Sequence, residues 1–138
     1  MPATSAETPD PYATGSRIRR EVLGDEHVNS ALSNWPPAKP LFDLITAHNW
    51  GSVWAREGLD RRTRTLLNLA LLTTLNRPEE LRLYVRGALR NGCSVEDMAE
   101  VAVHCAAYAG GPAGIGLMRA VHEAHEAMPA EETVSAEG

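Results

Sequence analysis

The chain has 138 residues with 18 acidic and 13 basic side chains, a formal net charge of −5. At that length a domain buries about two-thirds of its unfolded surface and needs no disulfide or metal staple, so one domain is the expected count. The acidic balance argues against a nucleic-acid surface, and no apolar run approaches the roughly 20 residues of a membrane span.

The opening residues lack the basic cluster and apolar stretch of a secretion signal. Cys93 and Cys105 read as free thiols, which points to the cytoplasm. With a single Phe, the core falls to Leu, Val and Ala, a composition that favours helices.

In chain order, residues 1–14 carry Pro2, Pro9 and Pro11 among small polar residues and read as a disordered tail. A short helix is expected at 16–23, stopped by Gly24, and another at 27–34. Pro36, Pro37 and Pro40 precede a helix from about 41 to 49. Asp60 is placed to cap a helix over 61–75, in which Leu66, Leu67, Ala70, Leu71 and Thr74 recur at helical spacing. Asn76 reads as the cap of the next helix, with Pro78 in its first turn and Gly92 as its left-handed stop. Ser94 with Asp97 opens a helix over 95–109, Gly110-Gly111-Pro112 closes it, and a last helix runs over 112–127. Residues 129–138 read as a second tail. No stretch alternates as a strand does, so the fold class is all-α, a single-domain bundle of about six to eight helices over 15–128.

Three polar residues interrupt the otherwise apolar second half of the helix 95–109. Glu100, His104 and Tyr108 are spaced four and four and share one face. A carboxylate beside an imidazole is a natural acid/base pair, with the carboxylate orienting the ring. The alternative is a solvated stripe with a weak helical ion pair. On the preceding helix Leu81, Tyr84, Val85, Ala88 and Leu89 form the apolar face, and Arg82, Arg86 and Arg90 form a basic row. Tyr84 is either a packed hydroxyl or a donor in a site, and an Arg at a pocket edge suits a carboxylate ligand. His122 and His125 look like part of an exposed face rather than a metal site. There is no Cys-x-x-Cys, phosphate loop or dinucleotide fingerprint.

The run WGSVWAREGLDRRTRTLLNLALLTTLNRPEELRLYVRGALRNG at 50–92, VEDMAEVAVHCAAYAGGPAG at 95–114 and RREVLGDEHVNSAL at 19–32 resemble the carboxymuconolactone decarboxylase family. The resemblance covers about 15–128. It implies an all-helical, alkylhydroperoxidase-like fold assembled into a homo-oligomeric ring, a trimer or hexamer. It also implies cofactor-free loss of carbon dioxide from a small anionic lactone acid in aromatic-compound catabolism. On that reading Glu100 and His104 move protons, with Tyr84 as the third catalytic candidate. Arg64 and Arg86 bind the anion, Trp50 and Trp54 wall the site, and Ile115 faces the substrate.

Two positions depart from the family pattern, Tyr84 where His is expected and Ile115 where Asn is expected. They leave open a relative turned to another lyase, isomerase or cyclase step, or a non-catalytic oligomeric binding protein. The peroxidase chemistry of the wider superfamily is excluded, because Arg77, Glu80 and Tyr84 stand where its Cys-x-x-Cys and His would be.

Overall fold

The computed structural model of the protein describes residues 8–128. These hold seven α-helices, a 3-10 turn and a π-helical stretch, with no strand among the described residues, so the all-α class holds. They form two compact units, one ending at Glu57 and the other starting at Gly58. Most of the two expected tails, 1–7 and 129–138, lies outside the described residues. Among the described residues no helix is long and apolar enough to cross a membrane.

In the first unit α1 (Pro11–Leu23) begins five residues before the helix expected at 16–23. Pro11 occupies the first helical position, where its fixed φ is an advantage, and Asp10 Oδ1 accepts from the Tyr12 N–H at 3.1 Å. The prolines that marked residues 11–14 as tail therefore help to start a helix. α2 (Asp25–Val28) is a single turn instead of the helix expected over 27–34. The chain leaves it at Asn29 and is held in turns, where Asn34 Nδ2 donates to the Asn29 carbonyl at 2.9 Å.

After the 3-10 turn Pro36–Ala38, α3 (Lys39–Ile45) passes into the π-helical stretch Thr46–Val53, together covering the helix expected at 41–49. α1 lies along this stretch at backbone contact. A Cβ at Gly15 would overlap the Thr46 carbonyl oxygen, and one at Gly51 would overlap that of Pro11. Ile18, Val22 and Trp50 are buried, and the Arg19 guanidinium, itself buried, sits 5.2 Å from the centre of the Phe42 ring.

The second unit is built from α4 (Arg61–Thr74), α5 (Pro78–Arg90), α6 (Val95–Ala109) and α7 (Gly111–Ala127). α4 and α7 each pack on the other three. Its core runs through Leu69, Leu81, Val85, Ala88, Met98, Ala102, Leu117 and Val121. Asp60 caps α4 as expected, accepting from the Thr63 N–H at 2.7 Å. Ser94 and Asp97 form the expected reciprocal cap of α6, both bonds at 3.0 Å.

Asn76 differs from expectation. It ends α4 instead of starting α5, with a left-handed φ of 56°. The Asn76 N–H donates to Thr73 O and the Arg77 N–H to Leu72 O, the paired bonds of a Schellman closure. Gly92 closes α5 the same way, through Gly92 N–H to Leu89 O and Cys93 N–H to Ala88 O.

The stripe Leu66, Leu67, Ala70, Leu71, Thr74 is not the buried face of α4. Thr65, Leu69 and Thr73 are buried, whereas Leu67 and Leu71 are exposed by half or more.

α6 and α7 approach most closely at Gly114, where a Cβ would stand 2.7 Å from the Ala102 carbonyl oxygen. Gly116, two residues on, has open space at its Cβ. Gly114→Ala should therefore destabilise the protein by about 1–3 kcal/mol. Gly116→Ala should leave stability unchanged or raise it by about 0.5–1 kcal/mol, because the unfolded chain loses freedom at no steric cost. Urea unfolding of the two variants checks both signs.

Candidate functional site

α6 presents Glu100 and His104 one turn apart because its buried residues, Met98, Ala102 and Cys105, fall between them on the opposite face. Both side chains are exposed, and they line a groove of about 470 Å³ between α4 and α6. Leu66, Leu67 and Ala70 of α4 and Val101 of α6 supply its apolar wall, and Thr63 and Asp97 stand at the capped ends of the two helices.

The expected orienting contact between Glu100 and His104 is absent: no ion pair joins them among the described residues. The imidazole instead meets the ring of Tyr108, with centroids 4.9 Å apart and planes tilted by 34°. The next turn of the same helix thus holds the ring, while Glu100 is left to solvent and ligand. Tyr108 is 84% exposed, so that aromatic face is open.

Asp97 ties the two walls together. Its Oδ1 lies 2.7 Å from Arg62 Nη2 on α4, while Oδ2 accepts from the Ser94 N–H. The Ser94 bond first and Arg62 second hold its carboxyl below the usual carboxylate value. Both thiols are shifted the other way. Burial pushes Cys93 and Cys105 up, so neither is a ready nucleophile.

The remaining candidates from the sequence do not share this groove. Tyr84 is half-buried and packs against the core of the second unit. Ile115 lies in a separate, shallow apolar groove of about 720 Å³ between α6 and α7, with Ala99, Val103 and Ala106. Arg64 is half-buried on α4 and Arg86 is exposed on α5, and neither lines the α4–α6 groove. Trp50 is buried in the first unit and stacks on Trp54 at 4.6 Å. The groove's apolar wall was missed as a site feature. Its signal in the sequence was the leucine stripe of α4, whose helical spacing alone does not say what covers it.

An acidic-limb measurement isolates the Asp97 contribution. A carboxyl whose folded pKa is depressed adds stability above its unfolded value of about 3.8 and loses it as pH falls through the folded value. Asp97→Ala should cost about 1 kcal/mol at neutral pH. The gap between variant and wild-type urea midpoints should then close as pH drops below about 3.8.

Comparison with known proteins adds to this geometry. A model of the carboxymuconolactone decarboxylase family matches residues 39–123. The 4-carboxymuconolactone decarboxylase of Acinetobacter baylyi is 40% identical over 113 residues, covering 81% of this chain and 84% of that protein. The nitrosuccinic acid decarboxylase npaB of Metarhizium robertsii is 43% identical over 108 residues, covering 78% and 76%.

Proposed function

Because the chain belongs to the carboxymuconolactone decarboxylase family, we propose that it removes carbon dioxide from 4-carboxymuconolactone (γ-carboxymuconolactone) or a similar small lactone acid, without a cofactor. It is a carboxy-lyase-type enzyme, as both relatives are decarboxylases. The observation that carries the reading is the α4–α6 groove, where an acid/base pair of side chains borders an apolar wall.

The chemistry needs both parts. The bond from the substrate carbon to its carboxylate breaks, carbon dioxide leaves, and the electron pair spreads toward the lactone carbonyl. A general acid then returns a proton to carbon. A carboxylate loses hydration beside Leu66, Leu67 and Val101, which favours its departure. Glu100 and His104 are the groups we assign to the proton.

The second relative favours a second reading. A nitrosuccinic acid decarboxylase is as similar to this chain as the lactone decarboxylase is.

The reading includes a homo-oligomer, a trimer or hexamer. Leu67, Leu71, Val103 and Ile115 are exposed by half or more on α4, α6 and α7, which suits coverage by further copies of the chain. A second copy over the open groove would exclude water from it. It would also bring a cation such as Arg64 or Arg86 to the substrate's other carboxylate, a charge that the groove's own lining lacks. Trp50 and Trp54 remain candidate wall residues in that assembly. A cytoplasmic location accords with the two unbridged thiols.

Incubating the protein with 4-carboxymuconolactone or nitrosuccinate, and following carbon dioxide, separates the two substrates. Glu100→Gln and His104→Ala should each lower turnover by about 10²–10⁴-fold while the thermal unfolding curve stays in place. Wild-type rates in both variants would remove the pair from the mechanism. Light scattering should give a multiple of the 14.9 kDa chain mass, and Leu71→Glu or Val103→Glu should shift it toward the monomer.

A further inference from the structure

A second cleft, of about 240 Å³, lies where the α4–α5 corner meets α7, and it shares no residue with the α4–α6 groove. Three features there suit an anion. Arg77 and Arg119 line it and enter no ion pair among the described residues. Arg82, which also lines it, is matched by Glu123 at 3.5 Å, so the cleft carries two positive charges in excess on a chain whose net charge is −5.

α5 and α7 both begin at this cleft, through Pro78 and Pro112, without a side-chain cap; Glu79 and Glu80 in the first turn of α5 offset its polarity, and the α7 end has no acidic residue in its first turn and stays positive. Thr73 completes the set. It is 8% exposed, forms part of the lining, and its Oγ1 has no hydrogen-bond partner. A helical threonine ordinarily satisfies its hydroxyl on the preceding turn, as Thr65 does with Arg61 O at 2.8 Å. Thr73 keeps that capacity unspent in the wall of a cleft that two arginines also line.

We propose that this cleft is a binding site for a small carboxylate, separate from the catalytic groove. Arg77 and Arg119 hold the charged oxygens, the α7 end adds its field, and the Thr73 hydroxyl, turned by rotation about χ1, donates to the ligand. The volume falls below the roughly 300 Å³ at which pockets for drug-sized ligands begin, which suits a short-chain acid. For an enzyme that consumes or releases organic acids, such a site lets an acid bind without occupying the groove.

The test uses the full chain and sodium succinate as the probe, by calorimetric titration at constant ionic strength with amide NMR shifts as the map. Saturable binding in the millimolar range is expected, with shifts at 72–78 and 112–120. Arg77→Ala and Arg119→Ala should each weaken it by about tenfold or more, Arg119→Lys should restore part, and Thr73→Val should weaken it severalfold while folding normally. Glu100→Gln should bind succinate as the wild type does. The proposal fails if succinate does not saturate, if Arg119→Ala binds normally, or if the shifts map to 63–70 and 97–104. Inorganic phosphate binding more tightly than succinate would overturn the carboxylate assignment in favour of a phosphate site.

Discussion

The contact of α6 with α7 at Gly114 fixes the geometry on which the α4–α6 groove depends. A helix held at backbone distance from its neighbour cannot rotate or slide freely, because any side chain at Gly114 would meet the Ala102 carbonyl. With Met98, Ala102 and Cys105 turned into the core by that contact, the opposite register of α6 follows from helix geometry alone. Glu100 and His104 then face α4, and Val103 faces outward. The small residues of α6 and α7 are as much a part of the site as the polar ones, since they set where the polar ones point.

Most of the helix boundaries in the second unit were legible because local chemistry decides them. The Asp60 cap, the Ser94–Asp97 box and the Gly92 stop each satisfy backbone groups within a few residues, and such signals survive whatever the tertiary context is. Asn76 was misread because a left-handed Asn that closes one helix and an Asn that opens the next look alike when only one residue separates them. Pro11 was misread for a related reason, since proline at a helix start and proline in a tail differ only in what precedes it, here Asp10.

The candidate site was less legible. The face of α6 followed from spacing, yet the contact between Glu100 and His104 did not form, because Tyr108, one turn further, is as well placed to meet the imidazole. On α4 two stripes compete, and periodicity alone does not say which of them is buried. Leu69 with Thr65 and Thr73 packs inward, while the richer stripe of Leu67 and Leu71 stays outside. Hydrophobic pattern records that a surface will be covered, and does not say whether the cover is the same chain. Tyr84 and Ile115, named through family resemblance, lie on different helices from the groove's walls, a separation that residue spacing along one chain could not reveal.

The Arg62–Asp97 bridge has a further consequence. It joins the first turn of α4 to the first turn of α6 across one end of the groove, and it is partly exposed on both sides. Mobile ions screen such a bridge, while the short-range caps that define each helix are far less sensitive to them. Ionic strength should therefore act on this groove selectively, loosening the end at which the two helices are clasped and leaving its leucine floor as it was. A partly exposed surface pair thereby makes one end of the groove responsive to the surrounding electrolyte.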